Sequence, residues 1–324
     1  MISNKKIFRI LILFDRIQRN VAFTGESAAS EFEVSTKTIE RDIKELNDYL
    51  KYILKSDAKI RITEKVEWTL TDEFESKLSK EETLALIKVM LESRAFSKDD
   101  LTLIFDKLMN CLSREDKKLL QKFYGNEKEH YMQTKNSKSL FKILWDFSLA
   151  VNEKRIISAS YKRNIDGLIK DIEIEPIGIM FSEYYFYVLA YPYNEECANP
   201  IAFRIDNFQN YEITDIRFTR NPSYKDRFEE GQFRKRVQFM SIGELLTVEF
   251  EFWGRSLDAV TDRLPTARIV EKKDGRTVLR AEIYGRGLKM WFLSQGEFLK
   301  VTHPPEFVQE MKTTIANMME NYQA

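Results

Sequence analysis

The hydrophobic period of this chain changes once, close to Ile156, and that change limits the folds open to it. Before it, apolar residues recur every three or four positions, as on one face of a helix. Ile7, Ile10, Leu11, Phe14 and Ile17 form one such face, Ala28, Ala29 and Phe32 a second, and Ile39, Ile43, Leu46 and Leu50 a third. Ser79, Ser97 and Ser113 each stand three residues ahead of an acid (Glu82, Asp100, Asp116), the pattern of a capped helix start. A further helix over 137–153 carries Leu140, Ile143, Leu144, Phe147 and Val151 inward. Only "KIRITEKVEWTLTD" breaks the helical half, alternating like a small hairpin. After Ile156 the period is two. "RIISASYKR", "KDIEIEPIGIMFS", "EYYFYVLAY", "NPIAFRIDNFQNYEIT" and a short strand before Phe218 follow closely, which predicts a small barrel or a strongly bent sheet. From near residue 245 strands and helices mix: "LLTVEFEF", "SLDAVTDRL", "ARIVEKKDG", "TVLRAEIYG", "GLKMWFLSQG", "EFLKVTHP" and a terminal helix.

The expected fold is therefore multi-domain α+β. Its segments are a helical unit with a hairpin over 1–74, a helical linker or dimerisation segment over 75–153, a small β-barrel over 154–221, and a linker helix with an α+β domain over 222–324.

Charge and reactive residues exclude several function classes. Fifty-one Lys and Arg balance 51 Asp and Glu, so no chain-wide basic field exists and any nucleic-acid site must be local. Residues 1–70 hold 13 basic and 11 acidic residues, a slight local excess. Cys111 and Cys197 lie far apart and match no metal spacing, as expected of thiols in a reducing compartment. His130 and His303 have no second histidine or cysteine pair nearby in sequence, so neither a metal site nor a nucleophile relay is expected. Glu64 and Glu67 read as a solvated hairpin edge rather than a catalytic pair. There is no G-x-S-x-G, no P-loop and no G-x-G-x-x-G; Gly285 and Gly287 read as a strand-to-helix turn. The expectation is a protein that is not an enzyme and has no cofactor or metal. The apolar run at the N-terminus is short and broken by Arg9, and no stretch approaches the ~20 residues a membrane span needs. A cytoplasmic location without membrane contact follows as an expectation.

Two stretches carry candidate chemistry. The order helix, helix, turn, helix, hairpin is that of a winged helix-turn-helix, whose second motif helix enters the major groove with its first turns. If Ser35 caps that helix, Ser35, Thr36, Lys37, Thr38, Arg41 and Lys44 face away from its apolar side. Hydroxyls and lysines suit phosphates, and Arg41 suits a guanine edge. The competing reading is a three-helix domain for protein contacts. In "EYYFYVLAYPY", alternation puts Phe186, Val188 and Ala190 on one face and Tyr185, Tyr187, Leu189 and Tyr191 on the other. With Arg204 of "FRIDNF" on a neighbouring strand, the second face would offer rings and a guanidinium for stacking. The competing reading is a strand face covered by another domain.

"VSTKTIERDIKEL" resembles the recognition helix of DeoR-like winged helix-turn-helix repressors at Val34, Ser35, Thr38, Ile39, Arg41, Asp42, Ile43 and Leu46, and Asp42 is part of that pattern. "EPIGI", "YYFYVLAY" and "FRIDNF", in that order, resemble the WYL domain, an Sm-like small barrel of bacterial regulators. Its name-giving triplet falls on Phe186, Tyr187 and Val188. The resemblance implies an effector site at Tyr161, Arg163, Tyr185, Tyr187 and Arg204, with Asn207 where the family has a second basic residue. "MWFLSQGEFLKVTHPPEF" resembles the extension that follows WYL domains. Together these imply a transcriptional repressor. It would bind a double-stranded DNA operator as a homodimer, with its affinity tuned by a single-stranded nucleic acid or nucleotide. Alternatives are a nucleic-acid-binding accessory protein modulating a partner enzyme, or a regulator answering to a small molecule. Arg204→Ala is expected to leave folding intact.

Overall fold

The computed structural model describes residues 6–18, 21, 23–52, 60–62, 67–70, 78–110, 112–135, 138–219 and 229–323. Cys111, Glu64, the hairpin tip 63–66 and the start of the charged 222–238 segment lie outside them. The chain forms two compact units, 1–137 and 138–324. No helix among the described residues is long and apolar enough to cross a membrane.

In the first unit, α1 (Lys6–Gln18), α2 (Gly25–Glu31) and α3 (Thr36–Tyr52) enclose one core with a small antiparallel sheet of β1 (Phe23–Thr24), β2 (Ile60–Ile62) and β3 (Glu67–Leu70), ordered β1-β3-β2. Ala28, Ala29, Phe32, Ile39, Ile43, Leu46 and Leu50 are buried as their spacing predicts. Helix α1 is rotated from its expected face. Leu13, Ile17 and the charged Arg9 are buried, while Ile7 and Leu11 are more than half exposed. The run "IFRILILF" is apolar on every side, so period alone cannot choose its inner face; the partner of Arg9 does. Thr24 both pairs in the sheet and caps α2, its hydroxyl accepting from the Ser27 amide at 3.0 Å. Three more helices, α4 (Lys80–Ser93), α5 (Lys98–Met109) and α6 (Arg114–Glu129), begin at Ser79, Ser97 and Ser113, each hydroxyl accepting from the backbone amide three residues on. They share a core around Ile87, Leu101, Phe105 and Leu120.

The second unit opens with α7 (Phe141–Glu153), which packs on the sheet that follows. That sheet is antiparallel, ordered β7-β6-β5-β4-β8. Its strands are β4 (Arg155–Lys162), β5 (Ile169–Ser182), β6 (Tyr185–Pro192), β7 (Ile201–Arg204) and β8 (Phe208–Arg217). The expected closed barrel is not formed. A one-turn 3-10 helix, Ile205–Asn207, interrupts the predicted 199–214 strand and sends the chain from one sheet edge to the other, and no ladder joins β7 to β8. Register shifts at Arg155/Ile157, Ser160/Tyr161 and Pro176/Gly178 mark bulges, which bend such a sheet without closing it.

Helix α8 (Glu230–Arg236) leads into a second antiparallel sheet, ordered β10-β11-β9-β12. It comprises β9 (Leu245–Phe252), β10 (Arg268–Lys273), β11 (Arg276–Tyr284) and β12 (Leu299–His303). One face holds a core of Val248, Phe250, Leu279, Ala281 and Ile283 with residues of α9 (Leu257–Arg263), α10 (Leu288–Ser294) and α11 (Pro305–Glu320). The other face is charged. Gly285 and Gly287 form the turn from β11 to α10, as the sequence suggests.

Candidate functional site

The start of α3 is a polar surface with its own acid removed. The Ser35 hydroxyl lies 3.0 Å from that of Thr38 and 3.3 Å from the Thr38 amide, which fixes the first turn. Ser35, Thr36, Lys37, Arg41 and Lys44 are exposed and Thr38 is partly so. Lys37, Arg41 and Lys44 have no ion-pair partner among the described residues, whereas Glu45 is taken by Lys6 of α1. Asp42 faces inward, only 1 % exposed, and accepts from the Arg9 guanidinium, itself 5 % exposed. This acid within the recognition-helix-like pattern thus belongs to the core. It leaves the outer face with exposed hydroxyls and unpaired cations, although Glu40 and Asp48 remain exposed along it.

The tyrosine strand divides into two environments. At its C-terminal half, Leu189 is fully buried, contrary to the outward placement that alternation gave it. Phe233 of α8, with Val237 and Met240, covers Leu189 and Met180, and Tyr187 packs against the margin of that cluster. Glu230 accepts from the Ile179 amide at 3.2 Å, docking α8 on the bulge after Pro176. At its N-terminal half the strand stays open. Tyr184 is exposed and Tyr185 and Tyr187 are half-buried; the three rings meet edge to face, with centroids 6.4 and 6.5 Å apart in turn. Arg204 pairs with Tyr187 across the β6–β7 ladder and lays its guanidinium on the Tyr185 ring, 3.4 Å from the centroid. One half of the strand is thus covered by α8, and the other keeps its rings and the Arg204 guanidinium open.

Asp206 was not foreseen as a partner of Arg204. The Arg204 Nε and Nη2 donate to its two carboxylate oxygens at 3.0 and 2.5 Å. Nη1 has no partner among the described residues. The site's local charge is therefore close to balanced, with one donor edge beside aromatic rings. Burial pushes the Tyr187 phenol up from its ordinary value, against the opposing pull of Arg204. The guanidinium of Arg204 is held charged by Asp206, although its burial acts in the other direction.

Tyr161 and Arg163 take other roles. Tyr161 is 9 % exposed, its ring set edge to face against Phe203 and Phe208, and its hydroxyl accepts from the Arg204 amide at 3.2 Å. It positions the Arg204 backbone from the core side, and burial raises its own pKa. Arg163 pairs with Asp166 at 3.3 Å on the β4–β5 turn. That turn reaches the site only through Asn164, which accepts from Asn207 at 2.8 Å. Tyr185, Tyr187 and Arg204 are brought together; Tyr161 lies behind them and Arg163 stands apart. The missing signal for Asp206 was present in "FRID": two positions along a strand share a face, and the acid follows the arginine at that spacing.

An antiparallel sheet with α7 on one face, an aromatic-guanidinium corner, and a second sheet with charged outer face define the class of this unit. Residues 143–213 match the WYL domain and residues 244–319 match the WCX domain, so the chain carries both in that order. Among solved structures, the chain is similar to proteasome accessory factor B/C (PafBC) of Arthrobacter aurescens, with 16% identity, 99% of this chain and 49% of that chain covered, and a TM-score of 0.31. It is also similar to a CRISPR Cas-related protein, with 15% identity, 98% and 83% coverage, and a TM-score of 0.35. The chain spans about half the length of the PafBC chain it matches. No curated protein matches it.

Proposed function

We propose that this chain is a sequence-specific DNA-binding transcriptional regulator whose DNA affinity is set by an effector at the Tyr185–Arg204 corner. Residues 6–70 have the element order of a winged helix-turn-helix, and α3 is its recognition helix. The observation that carries the reading is the start of α3. Its three cations carry no ion pair among the described residues, its hydroxyls are exposed or partly so, and Asp42 is buried, an arrangement that suits phosphate and base contacts. The matched WYL domain supports the second half of the reading. A homodimer on an imperfect palindrome, acting as a repressor, is the assembly proposed.

Fluorescence anisotropy on duplex DNA from the gene's own upstream region, against a scrambled duplex at fixed near-physiological salt, tests the DNA half. Preference for the native duplex is expected, and equal binding to both removes the proposal. In the same assay Arg41→Ala should weaken native-duplex binding by about 1–3 kcal/mol with little change on the scrambled one. An equal loss on both would make Arg41 a phosphate contact.

For the effector half the test residue is Tyr185. Arg204→Ala is a poor probe, because it would strand the carboxylate of Asp206, whose side chain is 7% exposed. Tyr185 is half-exposed, and its removal costs little packing. Tyr185→Ala should weaken a base-stacking effector by about 1–3 kcal/mol. Because Asp206 balances Arg204, that binding should depend weakly on salt. A steep salt dependence, or unchanged affinity in Tyr185→Ala, would place the effector elsewhere. The balanced charge also favours a small aromatic ligand over a polyphosphate as the second reading; thermal shifts with metabolites and none with oligonucleotides would select it.

A further inference from the structure

Helix α8 has a second face, directed at the charged side of the C-terminal sheet. Between them lies a cleft of about 480 Å³ whose lining includes Lys235 and Arg236 from α8, Arg268 from β10, and Arg280 and Glu282 from β11. Arg268 stands directly opposite Arg280 in the β10–β11 register. Like charges in that position repel, so the arrangement calls for a counter-charge. Two of the four cations have one. Arg280 donates to Glu249 at 2.9 and 3.2 Å, and Arg236 donates to Glu282 at 3.0 and 3.2 Å. Lys235 and Arg268 have no acid partner among the described residues. Two unbalanced positive charges therefore converge on one cleft, from a helix and from an edge strand of the sheet.

No aromatic ring lines the cleft, so it has no platform for a base. Its polar groups are the four cations, Gln232, the hydroxyl-bearing Thr247 and Thr266, and the Glu282 carboxylate, which Arg236 already occupies. We propose that this cleft is a second ligand site, separate from the Tyr185 corner, which takes the phosphate groups of an oligophosphate. Those phosphates come either from a free oligophosphate or from a nucleic-acid backbone. Because Phe233, on the same helix, packs with Leu189 beneath the tyrosine strand, an anion clamping Lys235 and Arg268 holds α8 against both sheets.

Isothermal titration calorimetry on the full chain tests this, with sodium tripolyphosphate and a five-nucleotide oligothymidylate as probes. Tripolyphosphate should bind the wild-type protein. Its affinity should fall at least tenfold in the double variant Lys235→Gln/Arg268→Gln and stay unchanged in Tyr185→Ala. Neither replaced cation has an acid partner among the described residues, so the double variant should unfold at the wild-type temperature. Loss of oligothymidylate binding in the double variant would identify a nucleic-acid backbone as the source, and loss confined to tripolyphosphate a free oligophosphate. Absence of tripolyphosphate binding in the wild type, or equal binding in a folded double variant, would overturn the proposal. Failure of the Tyr185 reading would appear separately, as unchanged effector affinity in Tyr185→Ala.

Discussion

Replacing Asp42 with alanine is expected to unfold the N-terminal helices locally, with a loss of about 3–5 kcal/mol, because it leaves the Arg9 guanidinium buried and uncompensated. Arg9→Ala should cost a similar amount from the other side. The pair joins α1 to α3 beneath the surface that would meet DNA, so the same change should abolish duplex binding without removing a single phosphate or base contact. Hydrogen exchange of the α3 amides measures the loss where it occurs, and it avoids treating a chain of two units as one cooperative transition. The double replacement Arg9→Met/Asp42→Leu separates the possible causes. Two apolar side chains of similar size remove both charges together, and such exchanges are often neutral or stabilising. Recovery of protection in the double variant is the expected result. Protection that stays lost would mean the pair supplies geometry that packing cannot replace, and single variants with wild-type exchange would show that the pair contributes nothing.

That ion pair also shows what the sequence could and could not reveal. Asp42 is legible as part of a recognition-helix pattern, and Arg9 as an interruption of an apolar run. Nothing local links residues 33 positions apart, so the reason for both appears only when α1 and α3 pack. Regular periods were read well. The faces of α2, α3 and α7, the three serine caps and the alternating elements after residue 245 all follow from side-chain spacing. The inner face of α1 was not legible, nor was the choice between a barrel and an open bent sheet, because the 3-10 turn at Ile205–Asn207 begins inside "FRID", which alternates as a strand would. Nor was the cover over Leu189. Alternation assigns a residue to a face, but whether that face meets water or another helix depends on elements distant in sequence, here α8. Tyr185, Tyr187 and Arg204 could be grouped because they lie on strands adjacent in sequence and space; the balance of charge around Arg204 required the position of Asp206.

A second large effect is expected at Gly287. A Cβ there would lie 2.0 Å from the carbonyl oxygen of Gln238 and 2.9 Å from its carbonyl carbon. Both are backbone atoms, which cannot swing aside as a side-chain tip can. Gly285, two residues earlier, has φ +63°, and its Cβ would come within 2.5 Å of the Ser241 carbonyl oxygen. The turn from β11 to α10 therefore accepts the 238–243 segment only because it lacks side chains at these two points. That segment is the continuation of α8. It is held further by Gln238, whose amide donates to the Arg263 carbonyl at 3.2 Å, and by the Val237–Tyr284 bridge. Gly287→Ala should cost about 3 kcal/mol or more, at the upper end of single substitutions. The cost should fall first on α8, with amide protection over 230–243 lost before that of the two sheets. Gly231→Ala is the matched control. It lies in α8 with no atom within 4 Å of the added Cβ, and alanine there should be neutral or gain up to about 1 kcal/mol from helix propensity. If the two variants behave alike, the close approach at Gln238 is not what seats α8. If they differ as expected, Gly287→Ala becomes a functional probe as well. It loosens the one helix that touches both the cover of the tyrosine strand and the cationic cleft while leaving the residues of each site unchanged. A regulator that uses α8 to relate those sites should then bind each ligand alone and lose the dependence of one on the other.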